Sequence, residues 1–101
     1  MKIKDNKLVL KKKKTKVNEY NYNEDILHLE LSKNVKVISR MTFSGCRNLQ
    51  TVIFNDNIEE IGYEAFYNCV SLTEIALPSS IKILGEGAFM DCRALKKVIL
   101  P

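Results

Sequence analysis

Histidine, proline, glycine and long apolar runs are all scarce in this chain, and each scarcity excludes something. The single histidine is His28, and no nucleophile, histidine and carboxylate are spaced as in a recognised catalytic motif. The three cysteines, Cys46, Cys69 and Cys92, contain no C-x-x-C pair, the usual start of a zinc site. No enzymatic activity, metal or cofactor is therefore expected. Two prolines and four glycines in 101 residues argue against a disordered or collagen-like chain. No run approaches the ~20 apolar residues of a membrane-spanning helix. The opening segment MKIKDNKLVL lacks the apolar stretch of a secretory signal. Read literally, the chain is cytoplasmic; as a fragment of a larger exported protein, it would belong at the cell surface.

The charge is unevenly placed. Residues 1–16 carry eight lysines and one aspartate, whereas residues 17–101 carry eight basic and eleven acidic side chains. A basic leader thus precedes a mildly acidic body. Lys11, Lys12, Lys13, Lys14 and Lys16 form a candidate patch for a polyanion or an anionic lipid. The competing reading is a charged edge that keeps further strands from adding on. No aromatic residue is interleaved with these lysines, which argues against nucleic acid as the partner.

A repeat of 23 residues fills the rest of the chain. The copies are VKVISRMTFSGCRNLQTVIFNDN from Val35, IEEIGYEAFYNCVSLTEIALPSS from Ile58 and IKILGEGAFMDCRALKKVILP from Ile81. Phe43, Phe66 and Phe89 recur at this period, as do the three cysteines and Leu49, Leu72 and Leu95. A fixed period of this length is the mark of a solenoid, whose coils bury their apolar faces against one another. The three copies form one unit, residues 35–101, and residues 1–34 form an N-terminal cap with a degraded first repeat. In that copy Ile26, Leu29 and Leu31 keep the strand pattern and Tyr20 stands for phenylalanine. Asn23, Lys12 and Thr15 replace Cys46, Val35 and Ile38, and so read as lost core positions. Ile3 and Leu8-Val9-Leu10 flank Asp5-Asn6-Lys7, the pattern of a small covering hairpin.

Within each copy, Leu49/Val52/Phe54, Leu72/Ile75/Leu77 and Leu95/Val98/Leu100 alternate inward as a half-buried strand does. Upstream lies Ile61-Gly62-Tyr63-Glu64-Ala65-Phe66-Tyr67-Asn68-Cys69, in which one helical turn would aim Ala65, Phe66 and Cys69 inward. Gly62 and Gly85 read as turn positions needing unusual backbone angles, not as a phosphate loop. Glu59, Glu60 and Glu64 read as a solvated coil surface. Over roughly residues 26–101 these units resemble the BspA-like (Treponema-type) leucine-rich repeat family. The resemblance implies an α/β solenoid, a right-handed leucine-rich repeat coil with parallel strands on one face and short helical turns on the other. It also implies adhesion to host or extracellular proteins.

The cysteines, one per coil, suit a buried reduced ladder; a disulfide between adjacent rungs and a metal site are the alternatives. The candidate binding surface is the concave strand face, formed by His28, Thr51, Glu74 and Lys97 in one column and Glu30, Ile53, Ala76 and Ile99 in the next. Its exposed apolar members suit a protein partner, although β-branched residues also favour strands for their own sake. The last strand, with Leu95, Lys97, Val98 and Leu100, has the makings of an open edge where two copies meet tail to tail. The expected function is a non-catalytic protein-interaction module, part of an adhesion-type surface protein. The alternatives are a structural or self-assembling repeat protein and a polyanion-binding module.

Overall fold

The computed structural model describes residues 3–101. It is a β-solenoid of parallel strands whose successive coils stack along one axis. The chain enters through a hairpin, β1 (Ile3–Lys4) antiparallel to β2 (Lys7–Leu10). Asp5 and Asn6 form its turn with φ of 53° and 63°, the left-handed geometry that two-residue hairpins favour. The hairpin does more than cover the first repeat. Strand β2 is itself a rung, parallel to β3 (His28–Leu31), with Leu8 opposite Leu29 and Leu10 opposite Leu31. Strand β5 (Thr51–Ile53) continues this front ladder, Val52 lying opposite Leu29. Strands β7 (Glu74–Ala76) and β9 (Lys97–Ile99) form a separate parallel pair, so the front ladder is interrupted between β5 and β7.

A second ladder, absent from the sequence reading, runs along another side of the coil. Strands β4 (Val37–Ile38), β6 (Glu60–Ile61) and β8 (Ile83–Leu84) pair in parallel, and Lys14 extends the row by bridging Val37. Close stacking here explains Gly62 and Gly85, neither of which has a positive φ. A Cβ on Gly62 would lie 2.7 Å from the Arg40 nitrogen, and one on Gly85 would lie 2.4 Å from the backbone of Gly62 and Tyr63. The glycines permit close approach of one coil to the next, correcting the expectation of unusual backbone angles.

The expected helical turns do not form, and no helix occurs among the described residues. The backbone shows why. In the second coil the amides of Met41, Phe43 and Gly45 donate to the carbonyls of Tyr63, Ala65 and Tyr67 in the next coil, at 2.7–2.9 Å. The intervening amides of Thr42, Ser44 and Cys46 donate three residues back within their own coil. An α-helix would turn every amide onto its own coil and leave none for stacking. The alternation is produced by left-handed residues at fixed positions: Asn18, Met41, Glu64 and Gly87, then Tyr22, Gly45, Asn68 and Asp91. Asparagine, aspartate and glycine are the residues that adopt this region most readily.

The core is a set of side-chain ladders. Tyr20, Phe43, Phe66 and Phe89 stack face to face, with ring centroids 5.5, 5.3 and 5.3 Å apart. Phe43 and Phe66 are fully buried, with Ile38, Ile61, Leu49, Leu72, Cys46 and Cys69 around them. Thr15, expected to be a lost core position, is buried as well. Its hydroxyl accepts from the Ser39 amide and bonds the Thr42 hydroxyl, each at 2.8 Å, while the Ser39 hydroxyl donates to the Thr15 carbonyl. The first coil thus keeps a core here, but a hydrogen-bonded one, in which the Thr15, Ser39 and Thr42 hydroxyls are all partnered.

Truncating the central ring should be far more damaging than altering the strand face. Phe66→Ala should cost about 3–5 kcal/mol through lost contact and a cavity. Ile53→Ser, at a side chain 58% exposed, should cost about 1 kcal/mol or less. Urea denaturation of both variants checks this; a greater loss for Ile53→Ser would contradict the strand register.

Candidate functional site

The strands alternate, so every second side chain is held on the front. Leu29, Leu31, Val52 and Ile75 point into the core, while Thr51, Ile53, Glu74, Ala76, Lys97 and Ile99 are exposed and His28 and Glu30 half-buried. The structure thus assembles all eight expected residues on one face. It adds two that the sequence reading missed, because β2 joins the ladder: Lys7 lies opposite His28, and Val9 opposite Glu30. The alternation Leu8-Val9-Leu10 carried the signal. The 21-residue step from Leu8 to Leu29, against 23 elsewhere, hid it.

Polar members of the face bond across the rungs. The His28 Nδ1 and Thr51 hydroxyl are 2.8 Å apart, the Lys7 ammonium is 3.0 Å from the Glu30 carboxylate, and Lys97 is 4.0 Å from Glu74. Exposed pairs of this kind contribute little stability, but they orient the rim. Ile53 and Ile99, 58% and 44% exposed, supply the apolar part. Where the ladder is interrupted, a groove of about 340 Å³ opens between β5 and β7. Thr51, Ile53, Glu74 and Ala76 line it, and the otherwise buried Val52 contributes to its wall. The face therefore offers apolar contact, flanking charge and a shallow recess.

The cysteines form a ladder of free, buried thiols. Each donates to a carbonyl in the preceding coil, Cys46 to Tyr20, Cys69 to Phe43 and Cys92 to Phe66, at 3.1–3.3 Å. Burial pushes the Cys46 thiol up to about 11, and the Cys69 thiol is also raised, by its bond to Cys92 and by burial. Cys46 and Cys69 are therefore poorly nucleophilic groups. Among the described residues no three histidine, cysteine, aspartate or glutamate side chains converge as metal ligands.

The lysine run does not stay together. Lys12 folds back onto Glu19, and that hydrogen bond raises the ammonium above its ordinary range. Burial works to raise the Glu19 carboxyl, but the Lys12 hydrogen bond and the Lys16 amide outweigh it and hold the group low. Lys11 and Lys13 face a groove, which neither Lys12, Lys14 nor Lys16 lines. In the last strand, the candidate edge, Val98 is 48% and Leu100 69% exposed, Lys97 is exposed and Leu95 half-buried.

The arrangement matches known proteins in sequence pattern and in fold. The family model for the BspA type leucine-rich repeat region (6 copies) matches residues 13–101. A leucine-rich repeat protein from Bacteroides capillosus superposes with a TM-score of 0.76 at 23% identity, over 94% of this chain and 62% of its own. The pneumococcal vaccine antigen PcpA superposes at 0.90 and 24%, over 95% of this chain and 24% of its own. A leucine-rich cell surface protein from Faecalibacterium prausnitzii gives 0.71 and 28%, over 76% and 20%. This chain thus spans 62% or less of the length of each of these structures. No curated protein matches it in sequence.

The thiol ladder has a direct chemical test. In native protein at pH 8, alkylation of Cys46 and Cys69 should be at least about a hundredfold slower than in denaturant, with Cys92, 9% exposed, reacting first. Mass spectrometry of a labelling time course reads this; rapid labelling of all three would contradict the ladder.

Proposed function

The chain belongs to the BspA-type leucine-rich repeat family, and we propose that it is a non-catalytic protein-interaction module whose strand face makes the contact. The observation that carries this reading is the exposure of Ile53 on β5 and Ile99 on β9, with the groove between β5 and β7 and His28, Glu30, Glu74 and Lys97 around them. A preformed apolar centre with a charged rim is the composition of a protein contact. The repeat supports the same reading, since its regular residues are occupied with packing and the variable ones are displayed. The Faecalibacterium prausnitzii neighbour is a cell surface protein, which favours a segment of an adhesion-type surface protein. Among the described residues no helix is long and apolar enough to cross a membrane.

The test uses immobilised extracellular-matrix proteins as probes. The wild-type chain should bind at least one of them, and Ile53→Lys combined with Ile99→Lys should weaken that binding by about tenfold or more without lowering the thermal midpoint. Binding unchanged in the double variant, or absent from the wild type, would overturn the strand-face reading.

A second reading, self-association, has its own observation. Ile61 and Ile75 are buried, whereas their counterparts one coil on, Leu84 and Val98, are 51% and 48% exposed. A recess of about 270 Å³ between Leu77, Ile81, Leu84 and Leu100 opens at this end. A second copy of this chain, related by a two-fold axis, would cover the apolar surface and pair the two β9 edges antiparallel. Sedimentation should then show a dimer, and Val98→Lys with Leu100→Glu a monomer that retains its β-sheet signal. A wild-type monomer at up to ~100 μM would remove this reading.

A further inference from the structure

The corner between the front ladder and the second ladder carries a charge arrangement that the repeat does not require. Lys11, Lys13, Lys33 and Lys36, with Asn34 and Asn57, line a groove of about 650 Å³ there. The four lysines come from two successive coils, and the backbone beneath them is fixed. The Lys36 amide donates to the Lys13 carbonyl at 2.8 Å, and the Asn57 side chain donates to the Lys33 carbonyl at 3.0 Å. Asn55 braces the same turn by donating to the carbonyls of Ser32 and Val35. Among the described residues Lys11, Lys13 and Lys33 enter no ion pair, and Lys36 has a loose one, 3.8 Å from Glu59 and partly exposed. The next coil reverses the charge, with Asp56 and Glu59 at the positions of Lys33 and Lys36. Packing therefore does not demand lysine at this corner.

We propose that this groove binds a linear sulfated polysaccharide. Four convergent cations in a chain whose remaining charges balance to zero favour a ligand with several fixed negative charges. A chain of sulfates gains affinity from each cation by releasing its condensed counterions. The asparagine amides add donors and acceptors suited to sulfate and hydroxyl oxygens. No aromatic side chain lines the groove, so it lacks the stacking platform of a single-stranded nucleic-acid site. Lys12 is excluded from the site by its bond to Glu19.

Heparin is the probe, titrated calorimetrically into the full chain at about 50 mM salt, with salt dependence measured in parallel. Lys33→Gln with Lys36→Gln should weaken binding by about tenfold and make the dependence on salt shallower. Lys11→Gln with Lys13→Gln, on the other wall, should do the same. Lys12→Gln should leave binding unchanged, and circular dichroism should show all three variants folded. Unchanged affinity in both double variants would overturn the proposal, as would an equal loss in Lys12→Gln. Single-stranded DNA of matched charge should bind more weakly than heparin; equal or tighter binding would overturn the assignment of a sulfated glycan.

Discussion

Hydrogen bonds along the stacking axis, from each coil to the next, are the constraint from which the other features follow. On the turn side every second amide leaves its own coil, as Phe43 does toward Ala65 and Phe66 toward Ala88, each at 2.8 Å. To aim alternate amides this way the chain adopts left-handed geometry at two places per coil, such as Met41 and Gly45, and a helix becomes incompatible. The same axial register brings like side chains over like, so the rings of Phe43, Phe66 and Phe89 stack nearly parallel. It brings backbone so close to backbone at the second ladder that Gly62 and Gly85 have no room for a Cβ. Each coil alone has too little apolar surface to offset the entropy of ordering it. Its stability comes from its neighbours.

Candidate functions appear where this register relaxes or its chemistry changes. The front ladder parts between β5 and β7 while the turn side stays bonded, and a groove opens at the parting. At the N-terminal end the apolar ladder gives way to Thr15, Ser39 and Thr42, which replace apolar contact with saturated hydrogen bonds. The lysines cluster at this end, at corners where Val35 turns inward and Lys11, Lys13 and Lys33 stay exposed. At the other end Leu84 and Val98 take positions that are buried one coil earlier. Interior ladders thus account for the regular residues, and the strand face and the corners carry the individuality of the molecule.

Much of this was legible from residues. The alternation in Leu72, Ile75 and Leu77 placed Glu74 and Ala76 on the surface correctly, because a strand's period of two leaves one choice of face once the apolar set is known. The recurrence of Phe43, Phe66 and Phe89 marked them as equivalent positions, which in a solenoid share an environment, and they do stack. The helical turn at Ala65, Phe66 and Cys69 was misread, because spacings of three and four fit a series of tight turns as well as a helix. Thr15 was misread because a hydroxyl in the core depends on a partner that is distant in sequence, here Ser39. Gly62 was misread because the backbone it must clear belongs to another coil.

What the sequence determined by itself was therefore the repeat, the inward and outward faces of its strands and the identity of the stacked ladders. These depend on local periodicity, and a period of 23 residues repeats its own instructions in every coil. Tertiary structure alone decided which amides turn to the next coil, where the front ladder parts, and which lysines meet. Lys13 and Lys36 become neighbours through a hydrogen bond between coils, while Lys12, adjacent to Lys13 in sequence, is drawn away to Glu19. Contacts between coils are set by stacking geometry, and sequence adjacency carries no information about them.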